Sequence, residues 1–446
     1  MAINPHIFRA YDIRAPYPSD LNEEAGAAIA KALAFFINAD KIVIGRDSKD
    51  SSASIHKAMI DALVDVGVHV YDMGEVPTPL IMYAVAKKGF IGGIIVTASH
   101  TASAHAGIKL VKHPNFQLSI PGELEDIKKL SMNPAIADEV KDTKGKVEKF
   151  SILDEYVEEL SEKFIELKDL KIVVDYGNGM GSISAKPVFE KIGLTVIPMY
   201  EEIDMSFPNH IANPMDESTM DDLRKRVVEE KADLGVSFDG DADRTFCIDE
   251  NGEIVYPDII TAILIPNELK GRSDKRVYYD IRMSRVVQEV IKEENGEGIM
   301  TRGGNPFYKS QLTEQGGVFG AEVTGHVFFQ DHYNIDDGLY FALKAMKAVV
   351  YSKKKLSELA NPLKKYFASP ELRLKVGDAD KTLDKVKNAF TDGKLVEIDG
   401  VRVDYPDWWF ILRKSNTEPA IKLRIEANTK EKLDEMTENL VGMIKE

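Results

Sequence analysis

The sequence predicts an α/β protein: three similar α/β domains with mainly parallel-stranded mixed sheets, followed by a smaller C-terminal α+β domain. Three observations predict this fold class. The 446 residues correspond to about three domains at roughly 150 residues each. One strand–helix–strand pattern recurs three times, and the last part of the chain follows a different pattern. Buried strands that alternate with helices are typical of βαβ units and parallel sheets.

Each copy of the repeat opens with a basic residue, an apolar strand and a polar strand end, at residues 41–47, 171–177 and 276–282. A helix-like stretch follows (55–66, 185–192, 284–292), and then a second short strand (68–71, 195–198, 298–301). A third apolar run, at 93–97, 234–238 and 317–321, leads into the most polar loop of that copy. Because ligands of open α/β sheets bind beyond the carboxyl ends of strands, we expect these three loops to serve one ligand.

The C-terminal part of the chain has a different order of elements. A polar helix-like stretch (380–390) precedes short strands around 396–403 and 408–412, and a strand at 421–427 precedes a closing helix over 430–444. Polar or turn-forming stretches near 143–149, 251–252 and 368–370 suggest boundaries. We therefore expect domain I over 1–148, domain II over 149–252, domain III over 253–368 and domain IV over 369–446.

Composition excludes several classes of function. Lys plus Arg number 57 and Asp plus Glu 73, giving a net charge of −16. This balance argues against a generally basic surface for nucleic acid or anionic lipid. The single cysteine, Cys247, forms no internal disulfide, which favours a reducing compartment. Since the sequence shows no signal-peptide pattern and no apolar run of membrane-spanning length, we expect a cytoplasmic protein without a membrane or nucleic-acid partner.

The strongest chemical signal is the loop Asp239-Gly240-Asp241-Ala242-Asp243-Arg244, directly after the apolar run 234–238. Three carboxylates at alternate positions repel one another strongly unless a cation lies among them. Hard oxygen ligands of this kind suit Mg²⁺. The alternative without a cation is a solvated acidic turn.

Two other known sites have a similar pattern. A calcium-binding EF-hand would place ligands at Asp239, Asp241, Asp243 and Glu250, but it has glycine where Arg244 stands and a helix before the loop. A phosphatase of the haloacid dehalogenase type also has Asp-x-Asp after an apolar strand, usually with Thr or Val where this chain has Asp243. Both alternatives stay open on the sequence of this loop.

Three further loops carry side chains that suit sugars and phosphates. In Thr97-Ala98-Ser99-His100-Thr101, a serine at a strand end beside a histidine can act as a nucleophile or phosphoryl carrier, although the hydrolase pattern Gly-x-Ser-x-Gly is absent. The loop 320–326 offers donors and acceptors for sugar hydroxyls, and the loop 413–419 suits a phosphate dianion. The serine loop taken alone is a weak signal, the loop 320–326 taken alone is more often a turn, and the loop 413–419 taken alone is as consistent with a polar hairpin loop. The segment 177–181 lacks dinucleotide-binding spacing and predicts a strand-to-helix turn.

Taken in order over nearly the whole chain, these loops resemble the α-D-phosphohexomutase superfamily. The opening segment, Phe8-Arg9-Ala10-Tyr11-Asp12-Ile13-Arg14, most resembles its phosphomannomutase/phosphoglucomutase branch. The other matching segments are Gly45-Arg46-Asp47-Ser48, Thr97-Ala98-Ser99-His100, Phe207-Pro208-Asn209-His210, the 239–244 loop, Gly325-His326 and the 413–419 loop.

The resemblance implies four domains around a central cleft and a phosphoryl group carried by Ser99. It implies that Ser99, Asp239, Asp241 and Asp243 hold Mg²⁺, and that His100, Lys109, Arg14 and Arg244 act beside the phosphoserine. The substrate-binding residues it implies are Tyr11, Arg282, Asn305, Glu322, Thr324, His326, Arg413, Ser415, Asn416 and Thr417.

The reaction implied is a Mg²⁺-dependent interconversion of hexose 1-phosphate and hexose 6-phosphate, of mannose or glucose. Phosphoserine gives its phosphoryl group to the free oxygen of the hexose phosphate, the 1,6-bisphosphate reorients, and its other phosphate returns to Ser99. Hexose 1,6-bisphosphate is the activator that this cycle implies. The oligomeric state, monomer or dimer, is left open.

Several positions depart from the family pattern. The residues concerned are Ala15 in place of Gly, Thr101-Ala102 in place of Asn-Pro, Ala106 in place of Asn, Arg282 in place of Lys and Asn305 in place of His. These changes leave the carrier, the metal ligands and the phosphate loop intact, and they bear on substrate identity and turnover. A phosphoglucosamine or phosphopentose mutase, a sugar-bisphosphate phosphatase and a sugar-phosphate binder without turnover are the alternatives.

Overall fold

The computed structural model describes residues 3–101, 104–114, 116–414 and 420–445 of the chain. The chain divides into two compact units, Met1–Pro257 with Gly304–Ser357, and Asp258–Gly303 with Glu358–Glu446. Strands and helices alternate along both units.

The first segment forms one mixed sheet with flanking helices. Its elements are β1 (Ile13–Pro16), α1 (Glu23–Phe36), β2 (Lys41–Arg46), α2 (Asp50–Asp65), β3 (His69–Glu75), α3 (Thr78–Lys88), β4 (Gly92–Val96), β5 (His105–Lys112), β6 (Phe116–Gln117), α4 (Glu123–Ser131), α5 (Pro134–Ala137) and β7 (Val147–Lys149). The strand order is β1-β5-β4-β2-β3-β7, with β6 on β5. Strand β2 runs parallel to β3 and β4, and all of β4 is buried, as expected for a central strand. The loop that contains Ser99 follows β4 directly.

The second segment repeats this arrangement around a smaller sheet. Its elements are α6 (Leu153–Lys163), β8 (Lys171–Asp175), α7 (Gly181–Ile192), β9 (Thr195–Met199), α8 (Asp221–Glu230), β10 (Leu234–Phe238), β11 (Thr245–Asp249) and β12 (Ile254–Val255). The strand order is β12-β11-β10-β8-β9. The buried strand β10 leads into the acidic loop, and the segment 177–180 is the strand-to-helix turn between β8 and α7.

The third segment contributes elements to both units. They are α9 (Pro257–Leu269), β13 (Arg276–Asp280), α10 (Arg285–Glu293), β14 (Glu297–Thr301), α11 (Asn305–Gln315), β15 (Phe319–Ala321), β16 (Val327–Phe329), α12 (Gly338–Ser352) and α13 (Leu356–Ala360). Strands β13 and β14 pair in parallel, and β15 and β16 form an antiparallel hairpin. The loop of that hairpin carries Glu322, Thr324 and His326.

The last segment is an antiparallel sheet with two helices. Its elements are β17 (Phe367–Ala368), β18 (Leu372–Lys375), α14 (Ala379–Ala389), β19 (Lys394–Val396), β20 (Val401–Asp404), β21 (Trp408–Lys414), β22 (Ala420–Ala427) and α15 (Lys430–Lys445). Along α15, Leu433, Met436, Leu440 and Ile444 recur at three- or four-residue spacing and are buried in the core of this domain.

The predicted fold class is confirmed, including the mixed sheets and the α+β tail. One strand begins later than the apolar run 317–321 suggested, because Gly316 and Gly317 have φ angles of 80° and 125° and extended structure starts only at Phe319. Within the described residues, no helix is long and apolar enough to cross a membrane.

Candidate active site

The acidic loop between β10 and β11 is almost completely buried. Asp239, Asp241 and Asp243 are 0%, 1% and 1% exposed. The backbone turns back at Ala242, which has a φ of 61° and donates from its N–H to the Asp239 carbonyl at 3.1 Å. One carboxylate oxygen of each aspartate therefore lies within 4.8 Å of the others. The turn concentrates three acidic groups where water reaches them poorly.

Lys109 on β5 neutralises part of this charge. Its Nζ donates to Asp241 Oδ2 at 2.6 Å and to Asp243 Oδ2 at 2.5 Å. Burial favours a higher pKa for Asp241, but the Lys109 ammonium outweighs burial and holds that pKa below its usual range. Burial also disfavours the charged ammonium, and the two carboxylates reverse this effect and raise the pKa of Lys109. Lys109 is therefore a charged residue of the cluster.

Arg244 covers the other side of the loop. Its Nε and Nη2 donate to Asp239 Oδ2 at 3.0 and 2.8 Å, and its backbone N–H donates to Asp239 Oδ1 at 3.1 Å. Burial nevertheless raises the pKa of Asp239 to about 7, with Asp243 and Asp241 adding repulsion against the opposing effect of Arg244. Lys109 and Arg244 thus leave the acidic loop incompletely neutralised.

The three aspartates fit a divalent cation. Asp241 Oδ1 is buried and accepts no hydrogen bond within the described residues. Leaving such an oxygen unsatisfied costs roughly 1–3 kcal/mol, and a cation would satisfy it. Carboxylate oxygens are the ligands that Mg²⁺ and Ca²⁺ prefer, but the strand β10 before the loop differs from the entering helix of an EF-hand.

Ser99 lies against the acidic loop and is 4% exposed. Its Oγ donates to Asp239 Oδ2 at 2.9 Å, and its N–H donates to Thr97 Oγ1 at 3.0 Å. The close approach depends on Gly240, since a Cβ there would lie 2.9 Å from the backbone C and O of Ser99. The φ of Ser99 is 51°, in the left-handed region that costs a non-glycine residue roughly 1–2 kcal/mol. The structure thus brings the predicted phosphoryl carrier and the predicted metal loop together.

His100 is a neutral hydrogen-bond acceptor beside Ser99. Its Nδ1 lies 2.6 Å from Arg244 Nη2 and 3.1 Å from Ser99 Oγ. Because a guanidinium only donates, Nδ1 accepts from Arg244. Burial, followed by the charges of Arg244 and Arg14, lowers the pKa of His100 to about 2. Arg14, held by Asp12 Oδ2 at 2.5 Å, is therefore an electrostatic neighbour of the serine loop.

The loop between β15 and β16 joins the acidic loop through a histidine. His326 Nδ1 lies 3.8 Å from Asp243 Oδ1 and 3.2 Å from Asp336 Oδ2. Thr324 Oγ1 donates to Glu322 Oε2 at 2.7 Å, which fixes the orientation of that carboxylate. The three residues predicted to bind sugar hydroxyls thus lie on one short loop next to the acidic cluster.

Asn305 connects two parts of the first unit. Its Nδ2 donates to Gln117 Oε1 at 2.9 Å and to Asp336 Oδ2 at 3.0 Å. Gln117 in turn donates to the Tyr11 carbonyl at 2.7 Å. Asp336 also pairs at 2.5 Å with Lys309, whose side chain is fully buried. Asn305 therefore ties the segment of Tyr11 to a buried ion pair through hydrogen bonds, without adding a charge.

In the second unit, Arg282 and Arg413 lie together at Gly303. Arg282 is held by both carboxylate oxygens of Asp280, and Arg413 Nη2 lies 2.7 Å from Asp399 Oδ2. Asp399 Oδ2 also accepts from the Gly303 N–H at 3.2 Å. A Cβ on Gly303 would lie 2.8 Å from Arg282 Nη2 and 3.4 Å from Arg413 Nη2. Two planar guanidinium groups in this arrangement suit the oxygens of a phosphate.

Ser415, Asn416 and Thr417 of the predicted phosphate loop lie outside the described residues, as does Ala102 after the serine loop.

All four segments match models of one protein family. The matches are to phosphoglucomutase/phosphomannomutase alpha/beta/alpha domain I over residues 5–131, domain II over 154–252, domain III over 256–366 and the C-terminal domain over 371–443. The chain belongs to the phosphoglucomutase/phosphomannomutase family. It is thus a member of the α-D-phosphohexomutase superfamily, as the resemblance implied.

Relatives of this family member are similar over nearly their whole length. A phosphomannomutase/phosphoglucomutase from Pseudomonas syringae pv. tomato is 32% identical over 440 residues, covering 96% of this chain and 92% of the relative. A phosphomannomutase from Methanocaldococcus jannaschii is 31% identical over 439 residues, covering 98% and 97%. A solved structure of a family protein from Burkholderia thailandensis has a TM-score of 0.90 at 30% identity, covering 99% of this chain and 98% of that one.

In this phosphoglucomutase/phosphomannomutase family member, two departures from the family pattern face each other. Ala15 on β1 and Ala106 on β5 are cross-strand partners, and both are buried. A small apolar pair therefore replaces a glycine and an asparagine at one position of the sheet.

Several residues of the site were not predicted from the sequence. Thr78 Oγ1 donates to Asp241 Oδ2 at 2.5 Å, and Thr78 lies far from the acidic loop along the chain. Asp399 and the Lys309–Asp336 pair were also missed. Of these residues, Asp399 alone has a local signal, the Asp-Gly dipeptide at 399–400, and on sequence that dipeptide indicates a turn.

The Phe207-Pro208-Asn209-His210 segment of this family member contributes His210 to a partly buried ion pair with Asp175. His210 Nε2 lies 2.9 Å from Asp175 Oδ2, and Asp175 is fully buried. Burial lowers the pKa of His210, but Asp175 more than reverses this, so the pKa is raised above its usual value. Because the folded pKa lies above the unfolded one, the pair contributes its full stability below about pH 6.5. It loses that contribution as the pH rises through the folded pKa.

We expect His210→Gln to lower the midpoint of thermal unfolding by about 1–2 °C at pH 6, since the pair is worth about 1 kcal/mol, and by less at pH 9. Circular dichroism melts of both proteins across this range measure the difference. His6→Gln, at an exposed position, is the control and should differ little from the wild type at any pH. A His210→Gln effect that stayed constant or grew with pH would contradict the ion-pair assignment.

Proposed function

We propose that the protein interconverts hexose 1-phosphate and hexose 6-phosphate, of mannose and/or glucose, with Ser99 as phosphoryl carrier. The observation that carries the proposal is the contact of Ser99 Oγ with Asp239 Oδ2 at 2.9 Å, inside a buried cluster of three carboxylates, a lysine and an arginine. Such a cluster suits the handling of a transferring phosphoryl group, where catalysis is mostly positioning and charge stabilisation. The names of the relatives support the same reaction.

In the proposed cycle, the free hydroxyl oxygen of a hexose monophosphate attacks the phosphorus of phosphorylated Ser99. The bond between phosphorus and Ser99 Oγ breaks, the sugar hydroxyl loses its proton, Ser99 Oγ takes up a proton to become a hydroxyl again, and a hexose 1,6-bisphosphate results. After the bisphosphate reorients, Ser99 Oγ loses its proton and attacks the phosphorus of the other phosphate. The bond between that phosphorus and the sugar oxygen breaks, the sugar oxygen takes up a proton, and the isomeric monophosphate leaves. Hexose 1,6-bisphosphate is accordingly the proposed activator, because it phosphorylates Ser99 at the start.

We assign the metal site to Mg²⁺ held by Asp239, Asp241, Asp243 and the phosphoserine oxygen of Ser99. When bound, Mg²⁺ supplies positive charge that stabilises the transferring phosphoryl group. Lys109 and Arg244 add fixed positive charge next to the same carboxylates. Arg14 and the neutral His100 complete the polar surroundings of Ser99, with His100 Nδ1 accepting from Arg244.

Substrate binding is assigned to two sets of residues. Glu322, Thr324 and His326, with Tyr11 and Asn305, are proposed to bind the sugar. Arg282 and Arg413, with Ser415, Asn416 and Thr417, are proposed to bind the phosphate that is not being transferred. On this proposal the four segments 1–148, 149–252, 253–368 and 369–446 supply the phosphoserine, the metal ligands, the sugar contacts and the phosphate contacts, respectively.

Asp399→Asn should weaken substrate binding more than it slows the chemical step. The carboxylate of Asp399 holds Arg413 and the Gly303 N–H together, and an amide gives Arg413 a weaker, uncharged acceptor. We expect KM for the sugar phosphate to rise about tenfold while kcat changes little, a loss of ~1.4 kcal/mol in binding. Steady-state kinetics measure this split. Asp404→Asn, which removes the carboxylate paired with Arg402 in the same domain, is the matched control and should leave KM unchanged.

A coupled assay tests the proposed reaction. Mannose, glucose, glucosamine and ribose 1-phosphates are each incubated with the protein, Mg²⁺ and the matching bisphosphate. Isomerisation of mannose or glucose 1-phosphate is the expected result. Preference for glucosamine or ribose 1-phosphate would indicate a phosphoglucosamine or phosphopentose mutase. Release of inorganic phosphate without isomerisation would indicate a bisphosphatase.

A further inference from the structure

The loop that carries Ser99 has a backbone conformation that the neighbouring structure must hold. Ser99 has a φ of 51°, which a non-glycine residue keeps only where its surroundings determine it. Within the loop itself, the Ser99 N–H donates to Thr97 Oγ1, and Thr101 Oγ1 donates to the Ala98 carbonyl at 2.6 Å. Both of these bonds come from the same short loop, so they do not attach it to the rest of the protein.

Asp47 holds the first side of this loop from the end of β2. Its side chain is buried, and its N–H donates to the Val96 carbonyl at 2.9 Å, continuing the parallel pairing of β2 with β4. One carboxylate oxygen accepts from the Lys49 N–H at 3.0 Å, and the other lies 3.4 Å from the Ala98 N–H. Asp47 thus holds the residue before Ser99 and also shapes the turn that contains Lys49.

Lys49 holds the second side of the loop. Its Nζ donates to the Thr101 carbonyl at 2.9 Å, and the residue is only 5% exposed. The ammonium also lies 5.8 Å from the centre of the Phe207 ring, a residue of the second segment. A cation over an aromatic face is attracted by the ring, and more strongly where water is excluded. Lys49 therefore connects the end of the serine loop to Phe207.

The cost of burying the Lys49 ammonium indicates that its charge has a role beyond the packing of its side chain. Burial lowers the pKa of Lys49, Asp47 opposes that shift, and the nearby charge of Arg14 adds to it. An uncharged side chain of similar length would avoid the desolvation cost altogether. The Lys49 ammonium donates a hydrogen bond to the Thr101 carbonyl and makes a cation–π contact with the Phe207 ring.

We propose that Lys49 is a positioning residue for the phosphoryl carrier: together with Asp47 it clamps the 97–101 loop from both sides and so aims Ser99 Oγ at the acidic loop. This inference rests on the proposed function, because it assigns Lys49 to the orientation of Ser99. Lys49 acts through the Thr101 carbonyl and Phe207, and it does not itself take part in the transfer. Loss of the clamp lets Ser99 Oγ move away from the acidic loop, which slows transfer and leaves the substrate-binding residues in place.

The test measures the rate at which Ser99 takes up a phosphoryl group. Dephosphorylated protein is mixed with glucose 1,6-bisphosphate and Mg²⁺, quenched at intervals and weighed by intact mass spectrometry. We expect Lys49→Met to slow the phosphoryl increment by about tenfold or more, since small misplacements of reacting groups have effects of this size. In steady state, kcat should fall while KM for the sugar phosphate changes less than about twofold.

Lys31→Met is the matched control. Lys31 is another buried lysine of the same segment, and its Nζ donates to the carbonyls of Ala137 and Glu139 at 2.8 Å, away from Ser99. It should lose similar thermal stability but phosphorylate at close to the wild-type rate. Lys49→Arg, which keeps the charge and the donors, should recover most of the rate, and the shorter, uncharged Lys49→Gln should fall between Lys49→Arg and Lys49→Met.

Three results would overturn the inference. The first is a Lys49→Met protein that gains the phosphoryl group at the wild-type rate. The second is a Lys31→Met protein that is slowed as much as Lys49→Met. Either result would show that Lys49 only stabilises the fold. If Lys49→Met does not fold, equal rates for Lys49→Gln and Lys49→Arg would do the same. Failure of the wild-type protein to gain any phosphoryl group is a different outcome, because it removes the proposed function and the inference with it.

Discussion

Ser99→Ala should abolish mutase activity, lowering kcat by at least about 10³-fold, because Ser99 is the phosphoryl carrier of the proposed cycle and alanine has no hydroxyl to take its place. Ser99 Oγ is the hydroxyl that lies 2.9 Å from Asp239, and replacing it with hydrogen removes the atom that accepts and donates the phosphoryl group. Alanine leaves the rest of the loop similar in size. The measurement is the coupled isomerisation assay, together with intact mass after incubation with glucose 1,6-bisphosphate.

The control for this variant is Ser131→Ala. Ser131 is also buried in the first segment, but its Oγ donates only to the Lys128 carbonyl at the end of α4. It should keep both activity and the phosphoryl increment on the protein. A Ser99→Ala protein that still gained a phosphoryl group in intact mass would show that another residue is the carrier.

Asp241→Asn should lower activity by about 100-fold or more and raise the Mg²⁺ concentration needed for half-maximal activity. Asp241 carries the buried oxygen that accepts no hydrogen bond within the described residues, so it is the ligand whose environment most requires a cation. Its other oxygen accepts from Lys109 and Thr78. The amide removes one negative charge and one ligand oxygen from the site at once. Activity measured over a Mg²⁺ titration gives both values.

Asp233→Asn is the charge-matched control for this experiment. Asp233 is exposed in the same segment, and its carboxylate accepts from the Lys171 N–H. It should change neither kcat nor the Mg²⁺ dependence. An Asp241→Asn protein with the wild-type Mg²⁺ dependence would show that the acidic loop is not the metal site.

The fold was predictable because its signals are local. Fully buried strands such as β4 and β10 are short apolar runs, and the spacing of Leu433, Met436, Leu440 and Ile444 defines the buried face of α15. The same reasoning located the polar loops at the ends of these strands. Strand β15 begins later than the apolar run suggested, because Gly316 and Gly317 have positive φ angles and belong to the preceding loop. An apolar run in the sequence does not show the backbone angles of its glycines.

The site was predictable only where its residues are adjacent in sequence. Asp239, Asp241 and Asp243 lie on one tight turn, so their proximity follows from their spacing. Lys109 and Arg14 were identified through the family resemblance.

Thr78 comes near the site because parallel strand pairing brings its segment there, and Lys49 does so through its contact with the serine loop. No local sequence pattern identifies either residue as part of the site. Asp399 likewise acquires its role from Arg413 and Gly303, which are distant in sequence.

A single-turnover experiment tests the central claim, that Ser99 gives its phosphoryl group to a hexose phosphate. Protein phosphorylated on Ser99 is mixed with one equivalent of glucose 1-phosphate and Mg²⁺, and both protein mass and small-molecule products are followed. We predict that glucose 1,6-bisphosphate forms early in an amount equal to the phosphoryl increment lost from the protein, and that the increment returns as glucose 6-phosphate appears. Loss of the increment as inorganic phosphate, or its persistence on the protein with neither glucose 1,6-bisphosphate nor glucose 6-phosphate formed, would contradict the account.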